Sequence, residues 1–283
     1  MALFRWYPIH ELAVTIELDM QISPLALEKI SLLKQLVKEE FSNSLCDLVP
    51  AYTSLTLCFK KEHSWKSYVH KIEMLISKAE TTPPLIQKNK KIISKIPVCY
   101  ELNFAIDLLN LSAQLKLSTE KIINLHLQQI YIVYAVGFIP GFPYMGEVLN
   151  ELNVPRKVIP TPRIPAGSVA IANNQTGIYP FEVPGGWHVI GRTPLSLFDK
   201  TRDPLCLLEP GDQVQFFPIS KSEFEITWDL DSSRLSMLLT SILTGKLIKK
   251  GSVSFVGNFF SNKVTNNSVN LKYSFDLRLI QSG

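Results

Sequence analysis

Between Gly137 and Asp199 the 283-residue chain gathers seven polar side chains beside turn-forming proline and glycine: Arg156, Arg163, Gln175, Thr176, Tyr179, His188 and Arg192. Three cations, an imidazole, an amide and two hydroxyls, without an evident nucleophile–base pair, form a set for gripping a ligand rather than for cleaving one unaided. Two readings stand side by side. Loops presented by a rigid scaffold are where binding residues collect. Alternatively, the prolines and glycines only turn the corners of a barrel and the arginines are solvated.

The sequence carries no G-x-x-x-x-G-K-[ST], G-x-G-x-x-G, H-E-x-x-H or G-x-S-x-G pattern. Ser168, in PAGSVA, has no base marked for it. Glu147 and Glu151 stand one helical turn apart and read as a solvated face. His126 lies between Leu125 and Leu127 on a predicted helix and reads as structural. Cys46, Cys58, Cys99 and Cys206 contain no C-x-x-C pair and have no His-x-x-x-His nearby, so no metal is expected and the thiols read as buried in a reducing cytosol.

Composition bounds the rest. Hydrophobic residues make up 46% and charged residues 19%, with a net charge of +4, which supports a sizeable core and excludes global disorder. No basic stripe with interleaved aromatics stands out, so nucleic acid is not an expected partner. MALFRWYPIHELAV has no basic n-region before an apolar h-region, so no signal peptide is expected. The longest uncharged apolar runs, near Tyr131 to Phe142 and Leu235 to Gly245, fall short of the ~18 residues of a membrane span. A cytoplasmic protein that stays off the membrane is expected.

The elements that must position these residues have two textures. In the first ninety residues Leu12, Val14, Ile16 and Leu18 alternate as a half-buried strand. Ser23-Pro24 opens a helix with the stripe Ala26, Ile30, Leu33, Val37 and Phe41. Strand-like runs follow around Leu45 to Val49 and Leu55 to Phe59. Ser64 caps a second helix with the stripe Trp65, Tyr68, Val69, Ile72, Leu75, Ile76 and Ala79. Ile92 to Tyr100 is extended again, with Pro97 favouring a strand end or edge. This β-α-β-β-α-β order predicts a ferredoxin-like α+β domain over residues 1–91. TTPPL, at Thr81 to Leu85, is its expected linker.

Beyond a helix capped by Ser118, short apolar runs alternate with Gly and Pro: IPAGSVAIA, TGIYPF, VPGGWHVIGRTP and LEPGDQVQFFPI. Pro210-Gly211 suits a type II turn. These spacings predict a closed β-barrel or sandwich over residues 92–221. GFIPGFPYMG, at 137–146, is punctuated by Pro140 and Pro143 and by Gly137, Gly141 and Gly146. It reads as a shaped wall presenting Phe138, Phe142 and Tyr144 to a substrate or a subunit interface, with core packing as the alternative.

VPAYTSL at 49–55, IPVCYE at 96–101, GFIPGFPYMG, the block from Thr161 to Asp199 and PGDQVQF at 210–216 resemble the family of 5-oxoprolinase B subunits, also called allophanate hydrolase subunit 1. That family includes the KipI inhibitor of a histidine kinase and is related to the carboxyltransferase domain, subdomains C and D. The resemblance spans about residues 10 to 220. It implies a ferredoxin-like domain followed by a cyclophilin-like barrel, partner subunits C and A, and the ATP-dependent opening of 5-oxoproline to glutamate. Alternatives it leaves open are a KipI-like inhibitor of a histidine kinase and a urea-type carboxyltransferase half.

Opening a lactam calls for groups that neutralise phosphate and hold the substrate carboxylate, and an arginine fork suits both. Under the resemblance Arg163 and Arg192 are the expected clamps, with Gln175 and His188 as hydrogen-bond partners. Phe142, Tyr144, Thr176 and Tyr179 are expected at the substrate or the interface. With no phosphate loop in the chain, ATP is expected to be bound by the complex. Val183 stands where a serine is common in the family. From about Ser222 the chain matches nothing in the family. This 222–283 extension carries Lys246, Lys249, Lys250, Lys263, Lys272 and Arg278, and Val269, Leu271, Tyr273, Phe275, Leu277 and Leu279 alternate as a strand.

Overall fold

The computed structural model describes residues 3–83 and 93–231. The alternating segment 269–279 and the cationic tail residues lie outside the described residues. Among the described residues, no helix is long and apolar enough to cross a membrane.

The N-terminal part is a four-stranded antiparallel sheet packed against two helices. β1 (Phe4–His10) pairs with β2 (Ala13–Leu18), and α1 (Pro24–Phe41) follows. The hairpin β3 (Leu45–Ala51) and β4 (Ser54–Phe59) leads to α2 (Val69–Thr81), giving the strand order β1-β2-β4-β3. The local signals act as expected at α1. Ser23 Oγ accepts from the Ala26 N–H at 3.2 Å, and Pro24 occupies the first turn, where its missing N–H costs nothing. Ser64 caps a short 3-10 turn, Trp65–Tyr68, which then feeds α2. Val14, Ile16, Leu55, Leu57 and Phe59 from the sheet meet Ile30, Leu33, Val37, Phe41, Ile72 and Ile76 from the helices in one core.

The second part contains β5 (Ile93–Cys99), α3 (Leu108–Leu115), α4 (Thr119–Leu127), β6 (Tyr131–Val136), β7 (Pro143–Gly146), β8 (Thr161–Ile164), β9 (Ser168–Ala172), β10 (Gln175–Ile178), β11 (Val183–Gly185), β12 (His188–Arg192), β13 (Gln213–Ile219) and α5 (Lys221–Asp231). Seven strands pair in the order β6-β13-β5-β12-β9-β10-β7, and β7 pairs back onto β6, so the sheet closes. The barrel is mixed because β5 runs parallel to β13. β8 and β11 form a separate two-stranded ribbon. The continuous apolar run of β9 is a strand buried on both sides. Val169 and Ile171 join the main barrel core, whereas Ala170 and Ala172 join a second cluster with Phe142, Tyr179 and Trp187. The Pro210-Gly211 turn forms as expected, with Gly211 at φ 99° and the Asp212 N–H donating to the Glu209 carbonyl at 3.1 Å.

Two expectations change. The strand Ile93–Cys99 does not complete the N-terminal sheet, because both of its edges are taken by β12 and β13 of the barrel. The place beside β2 goes to β1, which the sequence did not announce: only Phe4 of FRWYPIH is buried, so no alternation shows. Pro8 is tolerated there because β1 is an edge strand. The cysteines are all free, but only Cys99 is buried, and Cys46 is exposed.

His126 is structural, as its place on α4 suggests. Thr176 Oγ1 donates to the Ala170 carbonyl at 3.1 Å and therefore accepts from His126 Nε2 at 3.0 Å. Nδ1 is then left to accept from the Tyr100 hydroxyl at 2.9 Å. The imidazole stacks on Phe216 at 4.6 Å. Burial lowers its pKa from 6.5 to about 3, so the ring is held neutral. The unfolded chain binds a proton there below pH 6.5 and the folded chain does not, so stability is full above pH 6.5 and is lost as pH falls toward 3. Acidifying from pH 7.5 to 5 should cost about 2 kcal/mol through this residue, at about 1.4 kcal/mol per pH unit. Urea unfolding of wild type and His126→Gln at both pH values checks this. An unchanged pH dependence in the variant would show that His126 is not its source.

Candidate functional site

The segment Pro155-Arg156-Lys157 is fastened to the strand region Gly186–Val189 on both sides of its central residue. His188 Nε2 donates to the Pro155 carbonyl at 3.0 Å. The Lys157 N–H donates to the Gly186 carbonyl at 2.7 Å. Lys157 Nζ reaches Asp107 Oδ2 at 2.7 Å and Thr161 Oγ1 at 2.6 Å, and the same Asp107 oxygen accepts from the Val189 N–H at 2.8 Å. The Lys157–Asp107 pair is largely buried, so losing either partner strands a charge. Arg156 is therefore directed across the Trp187 ring, its Cζ 5.9 Å from the ring centroid. Its side chain is exposed and, among the described residues, forms no ion pair.

Aromatic rings build the surface under it. Phe142 meets Trp187 edge-on at 5.5 Å, and Tyr144 lies 5.9 Å from Trp187. Tyr179 packs on Phe142 at 5.1 Å, and Tyr52 tilts against Tyr144 at 5.9 Å. Two glycines make room for this packing. A Cβ at Gly177 would lie 2.8 Å from Phe142 Cζ, and one at Gly185 would lie 2.3 Å from the Tyr179 hydroxyl. Tyr52 sits in the β3–β4 turn at φ 51°, a left-handed conformation that non-glycine residues rarely adopt. Its N–H donates to the Tyr134 carbonyl at 3.3 Å, and its hydroxyl donates to Gln175 Oε1 at 3.4 Å. Burial raises the phenols of Tyr52, Tyr144 and Tyr179, the last to about 12, while the nearby Arg156 charge pulls each the other way. All three are hydrogen-bond donors at neutral pH.

The residues expected from sequence do not converge. Gln175 and the half-buried Tyr144 lie at this surface, and Phe142 and Tyr179 support it from within the core rather than facing a ligand. Thr176 is corrected: successive residues of a strand face opposite ways, and next to Gln175 it turns fully inward to His126. His188 is buried and acts on Pro155, not on a ligand. Arg163 is 82% exposed and paired with Glu182 at 2.8 Å across the β8–β11 ribbon. Arg192, about 13 Å along β12 from His188 at ~3.3 Å per residue, donates from Nε to the Ala166 carbonyl at 2.7 Å and lies on the rings of Trp228 and Phe224 of α5. Tyr52, Trp187 and the Lys157–Asp107 pair were not singled out from sequence, and Arg156 was noticed but not chosen. A signal existed in the aromatic residues of the punctuated segments AYTS and GGWH.

The family described as carboxyltransferase domain, subdomain C and D matches residues 4–208. The 5-oxoprolinase B subunit of Bacillus subtilis (strain 168) is 37% identical over 199 residues, covering 66% of this chain and 81% of that protein. The 5-oxoprolinase B subunit of Escherichia coli O157:H7 is 36% identical over 214 residues, covering 76% of this chain and 95% of that protein. The crystal structure of TTHA0988 is 32% identical with a TM-score of 0.62, covering 77% of this chain and 40% of its own, so this chain spans two fifths of that longer protein.

The family match ends at Leu208, ahead of α5, so the rings on Arg192 come from outside it. Burial lowers the pKa of this half-buried guanidinium. A charged hydrogen bond and a stacked cation together make Arg192 a fastening between β12 and α5. Arg192→Ala should lose about 1.5–3 kcal/mol of stability, the range for a hydrogen bond to a charged group, with the stacking placing it toward the upper end. Trp228→Ala should lose less. Chemical denaturation of both variants tests this. An Arg192→Ala chain as stable as wild type would make the residue a candidate ligand clamp again.

Proposed function

The chain belongs to the carboxyltransferase domain, subdomain C and D family, and on that premise we propose that it is the B subunit of an ATP-dependent 5-oxoprolinase. The complex opens the lactam of 5-oxoproline: water adds to the amide carbonyl, the ring C–N bond breaks, and glutamate leaves with a new γ-carboxylate and a free amine. The observation that carries this reading is the reach of the likeness, which takes in 95% of the Escherichia coli protein and so covers both the N-terminal sheet and the barrel.

Within that complex we assign this chain the task of holding substrate. Gln175, Tyr144 and Tyr52 offer hydrogen-bonding groups on a rigid aromatic surface, whereas Arg163 and Arg192 already have protein partners. ATP is bound by the assembled complex with subunits A and C, and the chain is inactive by itself. Its partners meet it beside the site. Val158 and Ile159 directly follow the fastened Lys157 and are 98% and 82% exposed, which suits a covered apolar contact with the C subunit. We read the N-terminal sheet and helices as a ferredoxin-like unit whose outer strand comes from upstream, and the barrel as cyclophilin-like, with the boundary between Pro83 and Ile93. The four free cysteines fit a cytoplasmic setting.

Reconstitution tests the reading. Purified subunits A and C with this chain should hydrolyse ATP only when 5-oxoproline is present, and omitting any one of the three should abolish this. Ile159→Lys should weaken co-elution with the C subunit on size-exclusion chromatography. Full turnover without this chain, or by it alone, would overturn the proposal. Inhibition of a histidine kinase with no 5-oxoproline turnover would favour the inhibitor reading instead.

A further inference from the structure

We infer that Arg156, displayed on the Trp187 ring beside Tyr52, Tyr144 and Gln175, takes the carboxylate of a small planar cyclic amide, with the amide carbonyl turned toward the Gln175 amide nitrogen. The inference rests on the 5-oxoprolinase reading and assigns the substrate's recognition to particular side chains.

Four observations meet here. The first is fastening. The residues on either side of Arg156 are bound to the Gly186–Val189 region by two backbone-directed hydrogen bonds, and Lys157 adds a buried ion pair with Asp107. A solubilising surface arginine requires none of this. The second is charge. Asp107 is occupied by Lys157 and Glu182 by Arg163, while Arg156 has no carboxylate partner among the described residues. An exposed guanidinium over an indole keeps its five donors in a plane that matches a carboxylate.

The third is conformation. Tyr52 is held at φ 51° by its N–H bond to Tyr134, and that geometry brings its ring to Tyr144 and its hydroxyl to Gln175. A left-handed tyrosine is disfavoured, and such residues persist where the surrounding structure holds them and cluster at ligand sites. The fourth is polarity. Gln175 Oε1 is the acceptor for Tyr52, and among the described residues its amide nitrogen makes no hydrogen bond, so that nitrogen is available to a ligand carbonyl. Cation, flat rings and amide donor match a carboxylate, a flat lactam and its carbonyl in that order.

The experiment uses the full chain and three probes in ligand-observed NMR and calorimetry: 5-oxoproline, 2-pyrrolidinone, which is the same ring without the carboxylate, and inorganic phosphate. Wild type should bind 5-oxoproline at least tenfold more tightly than either of the others. Arg156→Ala should lose at least tenfold in affinity at unchanged melting temperature, Arg156→Lys should recover part of it, and Arg5→Ala should behave as wild type. In the reconstituted complex Arg156→Ala should raise KM for 5-oxoproline more than it lowers kcat. No binding by the full chain, equal affinity for 2-pyrrolidinone, or preference for phosphate would overturn the assignment. Wild-type KM in an active complex carrying Arg156→Ala would remove the carboxylate from this site and leave the 5-oxoprolinase reading intact. Arg156-dependent binding without turnover in any combination with subunits A and C would sink the 5-oxoprolinase reading and leave the site standing.

Discussion

A β-strand has two edges, and both edges of β5 are occupied inside the barrel, by β13 on one side and β12 on the other. This closes the seven-stranded ring and removes the edges that an open sheet would expose. It also leaves the N-terminal sheet without the strand that follows its second helix. β1 fills that place, and its Arg5–Glu17 pair and Pro8 are the features of a protected outer edge. At the other side of the sheet, β3 touches β6 through the Ala51–Ala135 pair, which makes the N-terminal sheet continuous with the barrel. The β3–β4 turn is thereby laid against the barrel wall. Tyr52 reaches Tyr144 and Gln175 because of this junction, and neither part of the chain contains the cluster alone.

Strand periodicity then separates the proposed binding surface from core within single elements. On β10, Gln175 meets Tyr52 while Thr176 closes the hydrogen-bond chain around His126. On β9, alternate residues serve the main core and the aromatic cluster. The two sides have opposite electrostatic character. Inside, burial keeps His126 neutral and every polar atom of its ring is satisfied. Outside, Arg156 keeps its charge exposed on an aromatic face whose tyrosines remain protonated donors. A rigid apolar floor with a directed cation is suited to orienting a ligand.

Local signals in the sequence were legible where their partners are local. Ser23 and Pro24 at α1, Ser118 at α4, the alternation of β2 and β4 and the Pro210-Gly211 turn all depend on residues within a few positions. What stayed hidden depends on distant partners. β1 has no apolar alternation because most of it faces solvent. β5 looked like a sheet strand and is one, but nothing in its composition says which sheet it joins. Arg163 and Arg192 looked like clamps because charge type is visible in sequence and the partners Glu182, Ala166 and Trp228 are not. Arg156 belongs to the polar set visible in the sequence, but nothing there ranks it above Arg163 and Arg192, because its significance lies in contacts such as His188 with Pro155, 33 residues apart. GFIPGFPYMG divides between its two readings: Phe142 is core, Tyr144 is half-exposed at the site, and Phe138 is 72% exposed.

The helix α5 decides which arginine remains open. It begins after the family match has ended, yet its first turns are fastened to the barrel: the Lys221 N–H donates to Glu101 Oε1 at 2.9 Å, and Phe224 packs on Phe104 at 4.5 Å. From that position it lays Phe224 and Trp228 on Arg192. A guanidinium already giving Nε to a carbonyl and stacked under two rings is partly desolvated and engaged, so a ligand anion would have to displace α5 to use it fully. Residue type and place in a family motif are the same for Arg192 whether or not such a helix follows. Its chemical availability is not. Of Arg156 and Arg192, the chain covers Arg192 with its own extension and leaves Arg156 open, and the site is read from that difference.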